Sequence, residues 1–321
     1  METNQEETGE VSAFREIKIG QLSNDEFCQS QPGLIAKVLA AAGMTDYNSN
    51  STPAVILPLG PNLEGEPMNE KWECASIIGM LMYLSNNTRP DIAHAVHAVH
   101  ACARFTHNPK KSHTTAVKHI LCYLQGTKQK GMLIKPDNSN ELNCFVDSDS
   151  AENYTVYPDQ DHTSTKSRTG YIILFKGCPI LWVSKMRTQC ALSTMESEYL
   201  ALSQSMRDLI PLREMLKEIN ELVSNQKSLN PTCSNNLKSF SDIISSEHES
   251  PIPKSKVYED NAACLKFSRL PRLTPRTKHI AVPYHWFRSQ VEQMEISIEP
   301  INLENQLADQ FTKSLPLDKF L

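Results

Sequence analysis

Leu142-Asn143-Cys144-Phe145-Val146-Asp147-Ser148-Asp149 is a short apolar run that closes on two aspartates, and it marks a change in the chain. Two β-rich runs follow it, Gly170–Phe175 and Pro179–Val183, split by Lys176-Gly177-Cys178 in the manner of a hairpin. Helical spacing then covers Ser193–Leu209, and Pro211 is placed at the first turn of a second helix reaching about Val223. Beyond a Ser/Asn-rich stretch come a strand at Lys256–Tyr258, a helix at Asn261–Phe267 and a helix at His279–Glu292 around Pro283. A strand at Ile296–Ile301 and a last helix at Glu304–Thr312 complete the series. Three strands, helices, then strand, helix, strand and helix predict an α/β unit, a mixed sheet with helices on its faces.

Upstream of Leu142 the pattern is different. Residues 1 to about 30 are polar and read as loose. Leu34–Ala42, Trp72–Leu84, a segment opening at Thr88-Arg89-Pro90-Asp91 and running to about Phe105, and Ser112–Leu124 are all helical. The expected organisation is a polar segment (1–30), a helical region (31–136) and an α/β domain (137–316) carrying a flexible insertion at 224–255.

The 321 residues give ample core, with 40% hydrophobic and 21% charged residues. No apolar run reaches membrane-spanning length, and the acidic, polar N-terminus does not read as a secretory signal. Nine scattered cysteines without a CxxC pair point to reduced thiols in a cytosolic or nuclear setting and away from a disulfide framework or a zinc knuckle. The net charge of −5 argues weakly against nucleic acid, but its distribution does not. Ala101–Asn140 carries seven Lys/Arg against the single acid Asp137, and Lys266–Gln290 carries six and no acid.

Four carboxylates fall at positions suited to chemistry. Asp147 ends a strand, with Asp149 two residues on as its rival for the same face. Ser193 and Glu196 have the spacing of a capping box, which gives Glu196 a structural task and leaves Glu198 in the next turn without one. Asp260 stands between a strand and a helix, where it either caps the helix or faces a cleft. Asp309 follows Leu307 and Ala308, where a surface helical aspartate is the plain reading. Taken together, carboxylates from four separate elements suit a divalent-cation cluster, since such a hard cation takes oxygen ligands. His94, His97 and His100 recur at helical spacing, with His107, His113 and His119 nearby. Their spacing drifts around the helix and no Cys or acid completes a zinc site.

The ordered blocks at 142–147, 170–175, 192–202, 257–263, 277–280 and 306–313 resemble the RNase H domain of copia-type retrotransposon Pol polyproteins. The blocks at 30–35, 82–96 and 116–127 resemble the C-terminal part of the reverse transcriptase of the same polyproteins. The resemblance covers roughly residues 27–316. It implies an RNase H-like mixed five-stranded sheet with flanking helices, preceded by a mostly helical thumb/connection remnant.

By the same resemblance Asp147, Glu198, Asp260 and Asp309 are catalytic and hold two Mg²⁺ ions, with Mn²⁺ as a substitute, and the substrate is the RNA strand of an RNA–DNA hybrid. Asn261, Lys185, Arg187 and Lys278 are then assigned to the nucleic acid, and polymerase and integrase parts of the polyprotein are the expected partners. The family's TyrxAspAsp hairpin is missing from this sequence, so no polymerase activity is expected of it. The expected location is cytoplasmic or nuclear, within a virus-like particle if the element is active. The alternative expectation is a catalytically inactive transposon-derived fragment that at most binds nucleic acid. Ser150 and Ala151, standing where relatives carry a Trp, point that way. An integrase of the DDE type needs a different order of acids, which this chain lacks.

Overall fold

The computed structural model describes residues 13–14, 16–23, 25–54, 65–70, 72–102, 110–149, 166–229, 255–269, 286–293 and 295–320. Among them, a four-stranded antiparallel sheet runs in the order β1 (Ala13–Phe14), β2 (Ile17–Ser23), β3 (Glu26–Ser30) and β4 (Met132–Ile134). Residues 17–23 and 26–30 are therefore strands rather than the loose segment their polarity suggested. The local signal is weak because the sheet is largely solvated: Leu22 is 63% exposed, so hydrophobic alternation had little to record. The pairing that orders β3 also comes from far along the chain, with Phe27 opposite Ile134.

Four helices pack against one another: α1 (Pro32–Ala41), α2 (Cys74–Asn87), α3 (Ala93–Cys102) and α4 (Lys111–Gly126). Their buried stripes, including Ile35, Val38, Ile77, Leu81, Val96, Val117, Ile120 and Leu124, form one apolar core. The Pro90 step opens as a 3₁₀ turn, Pro90–Ile92, ahead of α3. Arg89 is fully buried at this turn. Its guanidinium donates to both Asp91 carboxylate oxygens and to the Thr127 carbonyl, and Tyr123 Oη donates to Asp91.

The second sheet has five strands in the order β7-β6-β5-β8-β9: β5 (Leu142–Ser148), β6 (Arg168–Phe175), β7 (Cys178–Met186), β8 (Ser255–Glu259) and β9 (Ile296–Pro300). β5, β6 and β7 pair antiparallel, while β8 lies parallel to β5 and β9 parallel to β8. This is the mixed five-stranded α/β sheet expected from the sequence. The β6–β7 turn holds Lys176 and Gly177 at φ of 51° and 73°, the left-handed pair that a two-residue hairpin demands.

One face of this sheet is covered by α5 (Thr194–Leu229), whose Tyr199, Leu202, Met206 and Leu209 enter the core with Val146, Ile173 and Val257. Pro211 lies inside a single 36-residue helix and does not start a new one. Losing one backbone hydrogen bond is tolerable where both flanks are anchored. Leu209 is buried on one side, and on the other the buried Arg213 donates to Ser255 Oγ and pairs with Glu295 at 3.5 Å. The helix also runs to Leu229, into the segment expected to be a flexible insertion; residues 230–254 lie outside the described ones. Three short helices complete this half: α6 (Ala262–Ser268), α7 (Arg288–Glu292) and α8 (Asp309–Thr312). A further one, α9 (Leu317–Phe320), follows them. The opposite sheet face meets α3 and α8 through Ala93, Phe145, Ile172, Trp182 and Phe311, and Trp182 Nε1 donates to the Ser85 carbonyl at 2.7 Å.

Candidate metal centre

β5 and β8 run side by side in the same direction, with Phe145 opposite Tyr258 as the last pair of their ladder and their rings stacked at 4.7 Å. Asp147 and Asp260 each lie two residues further on, so they leave the sheet together on the face of those rings. Crevices beyond the carboxyl ends of parallel strands are where such folds bind ligands. The third acid on this face comes from α8. Ligand oxygens of Asp147, Asp260 and Asp309 lie within 4.8 Å of one another. A second triad, Glu198 with Glu259 and Asp260, satisfies the same limit from the α5 side. All four sequence-selected acids are thus brought together, through Asp260, which belongs to both groups.

Local structure separates these acids from their neighbours. Asp149 Oδ1 accepts from the Arg168 N–H, and the Asp149 N–H donates back to the Arg168 carbonyl, so Asp149 closes the β5–β6 ladder. The helix cap after β8 is Asn261, whose Oδ1 accepts from the N–H groups of Ala263 and Cys264 at 3.0 Å each. Asp260 is therefore not committed to a cap. Glu196 N–H donates to Ser193 Oγ, and the Glu196 carboxylate accepts from Leu192 N–H, one residue earlier than a standard capping box.

Asp309 opens a four-residue helix rather than sitting late in a long one, and it is only 9% exposed. The approach of α8 depends on residues that sequence reading did not select. Gln306 Nε2 donates to the Val146 carbonyl at 2.9 Å, pinning the incoming loop to β5. Gly170 faces Asp147 across the β5–β6 ladder, and a Cβ there would lie 2.6 Å from Thr312 Cγ2 and 2.9 Å from Phe311 Cβ. The Thr312 hydroxyl donates to Asp147 Oδ2. Glu259, fully buried, is the fifth carboxylate and was also overlooked. The only trace of it in the sequence is parity, since it ends β8 on the same face as Val257.

Burial raises the Glu198 carboxyl far above the ordinary range, reinforced by the charges of Glu259, Asp147 and Asp260 and opposed by Arg187. Glu259 shifts upward too, first from burial and then from Asp260 and Asp147, against the Asn261 N–H that donates to it. Asp260 and Asp309 are also raised, burial first, with Asp147 adding to both. Lys313 Nζ pairs with Asp309 Oδ1 at 2.8 Å and lies 3.7 Å from Asp147 Oδ2. Burial pulls its ammonium down, but these carboxylates outweigh that and hold it above the usual lysine range. Glu198 Oε2 and Glu259 Oε2 are buried with no hydrogen-bond partner. Buried, unpaired and mutually repelling carboxylates are what a hard divalent cation compensates, so these residues fit a metal ion.

The residues assigned to nucleic acid fare unevenly. Lys185 is exposed on β7. Arg187 is half-buried, and its guanidinium donates to the hydroxyls of Thr169, Ser197 and Ser148 beside the acidic cluster. Asn261 uses its carbonyl oxygen on the cap. Lys278 lies outside the described residues. No histidine joins a metal-capable group among the described residues. His94 is instead a neutral imidazole, pushed down to about 3 by burial and by the nearby Arg168 charge.

No family model matches the chain. It is 33% identical over 301 residues to the retrovirus-related Pol polyprotein of transposon TNT 1-94 from Nicotiana tabacum, covering 91% of this chain and 19% of that protein. It is 28% identical over 291 residues to the Pol polyprotein of transposon RE1 from Arabidopsis thaliana, covering 91% and 17%. The chain thus spans less than a fifth of the length of these relatives. Among solved structures it resembles a foamy viral protease-reverse transcriptase in complex with double-stranded DNA, with a TM-score of 0.44 and 13% identity. That match covers 90% of this chain and 37% of the other. No described helix is long and apolar enough to cross a membrane. By its similarity to the transposon proteins over nine-tenths of its length, this chain belongs to the retrovirus-related Pol polyproteins of transposons and corresponds to one segment of them.

Proposed function

We propose that the segment carries a divalent-metal-dependent endonuclease site that hydrolyses the RNA strand of RNA–DNA hybrids. The element is of the copia type, with residues 31–136 as the end of its reverse transcriptase and 137–316 as its RNase H domain. The observation that carries this reading is the meeting of Asp147, Glu198, Asp260 and Asp309 at the carboxyl ends of two parallel strands. Magnesium, or manganese in its place, would be held by these four acids, and when bound it neutralises phosphate charge and acidifies a water. The residues themselves orient the reacting groups. The β5 and β8 strands fix Asp147 and Asp260, Thr312 holds the Asp147 carboxylate by a hydrogen bond, and Gln306 fixes the loop that presents Asp309. Choice of substrate rests on hybrid shape and the 2′-hydroxyl rather than on base edges. Lys185, Arg187, Asn261 and Lys278 are the proposed strand contacts. The polymerase and integrase parts of the polyprotein are the proposed partners, within the cytoplasm or nucleus.

The test is an end-labelled RNA–DNA hybrid incubated with the purified chain. Cleavage of the RNA strand with Mg²⁺ or Mn²⁺, none with EDTA, and none from an Asp260→Asn variant is the expected outcome. An intact hybrid in the presence of a protein that binds the cation would sink the nuclease reading. It would favour the second one, a catalytically inactive segment that at most binds nucleic acid. That second reading has its own observation, the Lys313 ammonium standing among Asp147 and Asp309 as a built-in counter-ion.

A further inference from the structure

We infer that the helical region clamps α8, and with it Asp309, onto the second sheet, so that Ala93 and Trp182 are positioning residues for the acidic centre. The purpose of the clamp rests on the nuclease reading; the clamp itself does not. Four residues do not hold a helix by themselves, since isolated helices shorter than about 12 residues are marginal in water. α8 (Asp309–Thr312) therefore takes its place from what touches it. On one side β5, β6 and β7 meet it. Ser184 Oγ donates to the Phe311 carbonyl, and the fully buried Phe311 side chain clusters with Ile172, bordered by Phe145, Leu174 and Trp182. The other side belongs to the helical region. Ala93, the first residue of α3 and only 1% exposed, completes the Phe311 cluster. Further out, Thr52, Asp91 and His94 face Gln310, Lys313 and Ser314 across a narrow cleft. α8 is thus held between the sheet and α3.

A clamp needs a rigid jaw, and two features supply it. Ala93 follows directly on the Pro90–Ile92 turn, which the buried Arg89 ties to Asp91 and to the Thr127 carbonyl at the C-cap of α4. The second feature is a helix end. α2 stops at Asn87, so the Ser85 carbonyl is one of its last four, which lack an intrahelical donor. The Arg89 N–H, four residues on, goes instead to the Leu84 carbonyl at 3.0 Å. Ser85 is fully buried, and its carbonyl accepts from the Trp182 indole N–H at 2.7 Å. A side chain of β7 thus satisfies the end of a helix in the other region of the chain. Trp182 lies opposite Ile172 in the β6–β7 ladder and borders the Phe311 cluster, so the same ring links the end of α2 to the seat of α8. If this contact loosens, α8 lifts and carries Asp309 away from Asp147 and Asp260.

Hydrogen exchange on the full chain tests the clamp, and cleavage of the RNA–DNA hybrid tests its purpose. Trp182→Phe keeps a ring and deletes the donor, leaving a buried carbonyl unpaired, while Ala93→Leu overpacks against Phe311. In both variants the Phe311 and Lys313 amides, which donate to the Ala308 and Asp309 carbonyls, are expected to exchange at least about tenfold faster, with the β8 amides unchanged. Cleavage is expected to lose at least about tenfold in kcat with KM held within about twofold, and Ala93→Ser, close to alanine in size, is expected to keep the wild-type rate. Wild-type exchange at Phe311 and Lys313 in both variants overturns the inference. So does an acceleration that β8 shares, which is a general loss of stability, and so does faster exchange in α8 with kcat unchanged. If Ala93→Leu does not fold, Trp182→Phe decides alone. A wild type that cleaves no hybrid removes the nuclease reading, and the exchange rates still decide the clamp.

Discussion

Gly170→Ala is a substitution of one methyl group, in a β-strand where alanine is ordinarily harmless, yet it should disable the metal centre. Gly170 pairs with Asp147 in the β5–β6 ladder, and the new Cβ would sit 2.6 Å from Thr312 Cγ2, 2.9 Å from Phe311 Cβ and 3.1 Å from the Ala308 carbonyl oxygen. The first two lie well inside van der Waals contact, and Phe311 and Thr312 are fully buried, so neither can swing away. The helix α8 must back off the sheet. Overpacking of this kind costs about 1–3 kcal/mol, which lowers the melting temperature of a domain this size by about 2–12 °C. The larger effect is on the site. Thr312 leaves Asp147 and Asp309 leaves its triad, and a displacement of about 1 Å in a positioned group can cost about 100-fold in rate. Gly79→Ala is the control. That glycine is exposed in the middle of α2 with nothing within 4 Å of a Cβ, so alanine there should stabilise by about 0.5–1 kcal/mol. Thermal melts with and without Mn²⁺, plus Mn²⁺ titration, decide the matter. If Gly170→Ala melts like wild type and keeps its Mn²⁺ affinity, the close approach of α8 is not what assembles the centre.

Other substitutions separate stability from binding. Glu198→Gln removes a buried carboxyl whose ionisation burial and the neighbouring acids oppose, so it should raise stability in EDTA by about 1–3 kcal/mol at pH 8 while lessening the rise in melting temperature on adding Mg²⁺. Because burial raises the Glu198 carboxyl in the folded state, the gain is greatest at high pH and fades as pH falls towards the ordinary carboxylate range; a gain that grows on acidification would contradict this. Lys313→Gln deletes the ammonium paired with Asp309 at 2.8 Å and should tighten Mn²⁺ binding several-fold at low salt, with unchanged affinity as the refuting result. His94, pushed down to about 3 when folded, binds its proton more readily in the unfolded chain. Its contribution is therefore complete above pH 6.5 and shrinks below it, by about 2 kcal/mol at pH 5. Chemical denaturation of wild type and His94→Gln at pH 7 and pH 5 should show the gap between them narrowing by that amount.

The sequence by itself determined the mixed sheet, because β5 and β6 read as short apolar, β-rich runs and α5 carries helical spacing, and it picked out Asp147, Glu198, Asp260 and Asp309 by order and local context. Short-range physics even settled one rivalry, since capping occupied Glu196. What it could not supply was anything decided across distance. Polarity hid β2 and β3, which are ordered by pairing that reaches β4 some hundred residues on. Pro211 read as a helix start, because its tolerance inside α5 comes from Arg213 bonding to Ser255 and Glu295. Glu259, Gln306, Gly170 and Thr312 are unremarkable in one dimension. Only the tertiary structure places a glutamate at the end of a buried strand face, a glutamine side chain on the Val146 carbonyl, and a glycine where a helix must touch the sheet. A metal centre of this kind is assembled from residues on separate elements, and their joint meaning exists only once the β5–β8 register and the docking of α8 bring their oxygens together.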